Sequence, residues 1–137
     1  MAQRRANYLF RAMDTSGMIS SKTYYLPETV GFYSTNSSES LAVDLCNSIG
    51  EILAEAIKKR GRASIAVSGG STPVPLFKEL SLLSLDWSKV DLTLVDDRWV
   101  EPKNADSNEL LVRTHLIKNN ASKVNFIPLK NDSNTAK

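Results

Sequence analysis

The chain reads as an α/β protein in which helices lie on both faces of a parallel sheet. Three observations predict this class. Apolar residues recur at helical spacing in three stretches; three short apolar-rich runs read as strands, the first of them without the strict alternation of a half-exposed strand; and the two kinds of segment follow one another as helix, strand, helix, strand, helix, strand. That order argues for right-handed crossovers between parallel strands.

The first stretch is the least patterned. Residues 1–30 carry Arg4, Arg5, Arg11 and Lys22 against Asp14 and Glu28, which accounts for the whole formal charge of +2. With no apolar stretch of the secretory kind, residues 1–20 read as a disordered leader, with Met18 as an alternative start. Residues 22–26 and 31–34 read as short extended segments around Pro27 and Gly31, an edge hairpin or meander. The first helix is clearer, because Leu41, Leu45, Ile49, Ile52, Leu53, Ala56 and Ile57 form an apolar stripe. Asn36, with Glu39 three residues on, suits its N-cap; Lys58, Lys59 and Arg60 before Gly61 suit its end. Cys46, beside the stripe, reads as a buried and inert thiol.

Residues 63–67 form a short apolar run of the kind covered on both faces. The run ends in Ser68-Gly69-Gly70-Ser71-Thr72-Pro73. Pro73 fits the first turn of a helix continued by Leu76, Phe77 and Leu80. A strand over 90–95 leads into Asp96-Asp97-Arg98-Trp99. A helix from Ser107 or Asn108 to about Lys118 and a strand over 124–127 complete the order. Residues 130–137 read as a loop or frayed tail.

Composition removes several function classes. A chain of 137 residues, 42% apolar and 23% charged, buries about two-thirds of its unfolded surface and needs no staple. The single Cys46 leaves no disulfide framework and no cysteine zinc site. No apolar run approaches 18 residues, so no membrane span is expected. The charge of the folded part balances, which gives no support to nucleic-acid binding.

Ligands of such sheets bind beyond the carboxyl ends of the strands, where both polar clusters fall. Gly69 and Gly70 permit backbone conformations that bring N–H groups onto an anion at a helix start, and Ser71 and Thr72 add hydroxyls. The Walker A lysine and the G-x-G-x-x-G spacing are missing, and the same turn also serves as a connection without ligand. By strand alternation Asp96 and Arg98 could share a face, the carboxylate accepting from sugar hydroxyls and the guanidinium holding phosphate. An Asp–Arg ion pair with Trp99 packed on a loop fits the same residues. Asp106-Ser107-Asn108 suits a helix cap. His115, the only histidine, reads as a surface or half-buried side chain rather than a catalytic one.

Taken together, S-G-G-S-T-P at 68–73, L-F at 76–77, D-W at 86–87, L-T-L-V-D-D-R-W-V at 92–100 and D-S-N at 106–108 resemble, in order and spacing, the first half of the 6-phosphogluconolactonases. The wider family includes glucosamine-6-phosphate deaminase; Arg98 and Trp99 look like the lactonase branch. Asp97 stands where that branch commonly has Glu, and Glu101 where it commonly has Pro.

The resemblance implies hydrolysis of 6-phosphogluconolactone in the cytoplasm, in the oxidative pentose phosphate pathway, without metal or organic cofactor. It implies a substrate pocket lined by Gly69, Gly70, Ser71 and Thr72, with Arg98 on phosphate, Asp96 on polar groups and Asn108 steadying the loop. The family's catalytic histidine sits in a G-x-G-x-D-G-H segment that this sequence does not contain, so no catalytic residue is assigned. The expectation is an incomplete, Rossmann-like α/β sheet, with residues 21–137 as the N-terminal part of one domain. The expected partner is a phosphorylated sugar lactone, with no nucleic acid and no membrane, and with self-association through an exposed sheet edge. The alternatives are a non-catalytic sugar-phosphate-binding remnant and a deaminase-like activity.

Overall fold

The computed structural model describes residues 6–13, 19–26 and 35–130, and the chain divides into two compact units, Met1–Ser34 and Thr35–Lys137. In the first unit β1 (Ala6–Met13) and β2 (Ile19–Leu26) pair antiparallel, with register running from Ala6 opposite Leu26 to Met13 opposite Ile19. Residues 6–13 and 19–20 are therefore strand, in place of the disordered leader expected over 1–20. The cause is composition that the charge count concealed: Tyr8, Phe10, Ile19, Thr23, Tyr24 and Tyr25 all favour extended backbone. The extended reading of 22–26 agrees with β2; that of 31–34 lies outside the described residues.

The second unit begins with α1 (Ser38–Arg60). Its N-cap is Ser37, whose hydroxyl accepts from the Ser40 N–H at 3.0 Å, so the cap falls one residue after Asn36. Both residue types cap well, and sequence alone does not choose between neighbours. At the other end Gly61 adopts φ +79° and donates to the Ile57 carbonyl at 2.8 Å, the left-handed stop expected there. The buried face of α1 is Ala42, Cys46, Gly50, Leu53 and Ala56, while Leu41, Leu45 and Ile52 are exposed. The apolar stripe is thus rotated from the expected one. Small residues let α1 lie close to the chain after α2: a β-carbon on Gly50 would come within 2.9 Å of the Leu83 side chain.

Next come β3 (Ala63–Val67), α2 (Val74–Leu82), β4 (Val90–Leu94), α3 (Asn108–His115) and β5 (Asn125–Ile127). Short 3-10 turns at Trp87–Lys89 and Asn119–Lys123 lead into β4 and β5. The helix expected to reach about Lys118 ends at His115. The strands form one parallel sheet in the order β3-β4-β5, with Ala63 beside Val90, Val67 beside Leu94, and Leu92 beside Phe126.

Alternation along this register sorts the sheet into two faces. Ala63, Val67, Val90, Leu92 and Leu94 are buried on one side and join Leu53 and Ala56 of α1, Phe77 and Leu80 of α2, and Val112 and Leu116 in a single core. On the other side Ser64, Ala66 and Asn125 are exposed, and Ile127 is 49% exposed. The parallel α/β sheet is as expected; of the two helical layers, the described residues supply one. No helix among the described residues is long and apolar enough to cross a membrane.

Candidate functional site

Parallel strands bring the ends of β3 and β4 to the same edge, and a hydrogen bond from the Val95 N–H to the Val67 carbonyl, 2.9 Å, continues the ladder past β4. Two connections leave that edge. After β3 the chain turns through residues 68–72 with Gly70 at φ +88°, a left-handed conformation that other residues adopt only with strain. The turn closes with the Val74 N–H donating to the Ser71 carbonyl at 3.3 Å, and α2 begins. Among the described residues, the N–H groups of Gly70, Ser71 and Thr72 meet no acceptor, and all three residues are exposed. This leaves a run of free donors at the entrance to a helix, which suits an anion.

After β4, residues 96–99 lie beyond the strand, which ends at Leu94. The strand alternation that would put Asp96 and Arg98 on one face therefore does not reach them. No Asp96–Arg98 ion pair forms either: among the described residues the Asp96 and Arg98 side chains have no charged partner, and both residues are exposed. The guanidinium is available to a ligand. Trp99 is exposed beside it.

The two connections meet at Asn108, the first residue of α3. Its side-chain amide donates to the Asp96 carbonyl at 2.9 Å, and its carboxamide fills the space where a β-carbon on Gly69 would stand. Gly69 is thus required by close approach. Asp97, which sequence reasoning passed over, holds α3 in place. One carboxylate oxygen accepts from the N–H groups of Asn108 (2.7 Å) and Arg98 (2.8 Å); the other accepts from the Glu109 N–H (3.2 Å) and the Ser107 hydroxyl (3.4 Å). A carboxylate at a helix N-terminus also meets the positive end of the helix dipole. Ser107 adds the local cap, accepting from the Leu110 N–H at 3.4 Å. Local capping patterns do not reveal Asp97, because its partners on α3 lie ten to twelve residues along the chain.

The structure therefore joins Gly69, Asp96 and Asn108 directly and sets Gly70, Ser71 and Thr72 in the same turn. Arg98 joins through its main chain. Lys130, expected in a frayed tail, is only 15% exposed at its side chain and pairs with Glu101 at 2.5 Å, tying the segment after β5 to the loop after β4. His115 is half-buried at the last position of α3. It stands about 10 Å of helix from Asn108.

The sequence profile described as "Glucosamine-6-phosphate isomerases/6-phosphogluconolactonase" matches residues 36–137. The chain is 51% identical over 96 residues to a 6-phosphogluconolactonase of Rhizobium meliloti, covering 70% of this chain and 41% of that one. It is 38% identical over 104 residues to a 6-phosphogluconolactonase of Pseudomonas putida, covering 76% and 43%. Among solved structures, a 6-phosphogluconolactonase from Shewanella baltica superposes with a TM-score of 0.77 at 48% identity, covering 80% of this chain and 47% of the other. The chain spans less than half the length of these relatives.

Proposed function

Since this chain belongs to the glucosamine-6-phosphate isomerase/6-phosphogluconolactonase family, we propose that residues 35–130 bind and orient the substrate in the hydrolysis of 6-phosphogluconolactone to 6-phosphogluconate. The observation that carries this reading is the junction at Asn108, which fixes the turn 68–72 beside the end of β4 and leaves the N–H groups of Gly70, Ser71 and Thr72 free.

Attack of water on a lactone carbonyl needs a base to take its proton and donors to meet the developing oxyanion. In this reading the free amides and the hydroxyls of Ser71 and Thr72 are the donors for anionic oxygen. Arg98 holds the phosphate through its planar fork. Asp96 accepts from sugar hydroxyls. The place of the reaction is the cytoplasm, in the oxidative pentose phosphate pathway. Self-association through the sheet edge belongs to the same proposal, supported by the exposure of Ile127 and Leu129. Sedimentation velocity across a concentration series checks it, and a single monomer boundary throughout removes it.

Calorimetric titration tests the site. Arg98→Ala is expected to weaken 6-phosphogluconate by about ten-fold or more, the scale of a lost hydrogen bond to a charged group, and to leave gluconate unchanged. Equal weakening of both ligands removes the phosphate role.

One observation favours a second reading, binding without catalysis: the sole histidine stands at the far end of α3 from the junction. Turnover of 6-phosphogluconolactone by the purified chain above the spontaneous rate dismisses that reading, whereas binding without turnover supports it.

A further inference from the structure

We propose that Asp97 is a positioning residue, which sets the geometry of the turn 68–72 through Asn108. Asn108 is held at three points. Its N–H donates to Asp97, its side-chain amide donates to the Asp96 carbonyl, and its carboxamide abuts the Gly69 α-carbon. Only the first of these fixes the residue's main chain. The Asp97 carboxylate also accepts from the Arg98 N–H on the β4 side and the Glu109 N–H on the α3 side, so a single side chain spans the gap between strand end and helix start.

Rotating or withdrawing that carboxylate frees α3 to shift along its axis, and the Asn108 side chain moves with it. Gly69 has no side chain of its own to resist the change. The turn that presents the Gly70, Ser71 and Thr72 amides is therefore tuned from the far side of Asn108, by a residue with no free edge toward a ligand. The ligand arm of the test rests on the function proposed above; the structural arm does not.

The experiment uses the full chain labelled with nitrogen-15 and follows the Gly69 and Gly70 amide resonances and the Asn108 side-chain amide. It compares wild type, Asp97→Asn, Asn108→Ala, the double variant and Ser37→Ala, a cap removal at the start of α1, where the Ser37 hydroxyl bonds locally to Ser40. In the ligand-free state, Asp97→Asn and Asn108→Ala are each expected to move the Gly69 and Gly70 resonances, and Ser37→Ala to leave them in place. With 6-phosphogluconate as the probe, each of the two is expected to weaken binding by about ten-fold or more. The double variant should be no weaker than the poorer single one, because both act through one contact.

Asp97 is only a helix cap if Asp97→Asn lowers the melting temperature while the Gly69 resonance and the affinity stay at their wild-type values. Losses that multiply in the double variant overturn the proposal as well. Absence of binding by wild type overturns the proposed function, and the ligand-free resonances then decide the role of Asp97 by themselves. Should Asp97→Asn not fold, Asn108→Ala suffices: an unmoved Gly69 resonance breaks the link on which the proposal depends.

Discussion

Gly69 and Gly70 stand side by side but are glycine for different reasons. A β-carbon on Gly69 collides with the Asn108 carboxamide, whereas one on Gly70 meets nothing within 4 Å and is opposed only by φ +88°. Gly69→Ala should cost about 1–3 kcal/mol by overpacking, most of it recovered in an Asn108→Gly background. Gly70→Ala should cost about 1–2 kcal/mol in either background; melting temperatures of wild type, Asn108→Gly and each glycine variant in both backgrounds check the two statements. On the open face of the sheet, Asp91 accepts from the Arg62 guanidinium and from the Asn125 side-chain amide at 2.7 Å. The Arg62 bonds first, and then that of Asn125, hold the Asp91 carboxyl below its ordinary value. A folded value below the unfolded one means stability that is present at neutral pH and lost as pH falls through the folded value. Arg62→Ala should therefore be less stable than wild type near pH 7, with the gap closing below about pH 4 in urea titrations. At this scale the glycine turn and Asn108 were legible from residue type and position. Asp97 was not, since nothing local in sequence marks a carboxylate whose partners lie a loop away.

Elements were legible in kind and order because periodicity and stop signals agree: the residues before Gly61 close α1, and Pro73 precedes α2, as the spacing predicts. Faces were harder. α1 carries apolar residues around much of its circumference, and the buried side is the one whose Ala42, Cys46, Gly50 and Ala56 permit close approach, a criterion hydropathy does not register. Its start offers a direct check. Ser37→Ala should lower stability by about 1 kcal/mol, while Asn36→Ala should stay within about 0.5 kcal/mol; paired denaturation curves separate the two. α3 is held at its start by Asp97 and in its last turn by Arg113, whose guanidinium lies 4.8 Å from the centre of the Phe126 ring of β5 while it pairs within the helix with buried Glu109 at 2.8 Å.

For the second unit as a whole, one core serves three helices and one sheet face, so local damage should be felt globally. Cys46 reports on this. Its thiol is buried, and desolvation, with the nearby Glu79 charge second, pushes it above its ordinary value. Alkylation by iodoacetamide at pH 8 should accordingly wait on opening of the fold, and Leu80→Ala, which costs about 2–5 kcal/mol, should speed it many-fold; equal rates would mean that α1 opens by itself. The parallel sheet was legible from the alternation of segments. Its one-sided cover was not, because a strand run such as Ala63–Val67 mixes Ser64 and small Ala66 into an apolar setting and conceals which face meets solvent. The order β3-β4-β5 has a further consequence, for folding in time. Among the described strands of this sheet, β4 pairs with β3 and β5 with β4, so each of these two strands meets a partner made just before it once the intervening helix has left the ribosome. Arrest at successive lengths should show protection of β3 and β4 arising before β5 is synthesised.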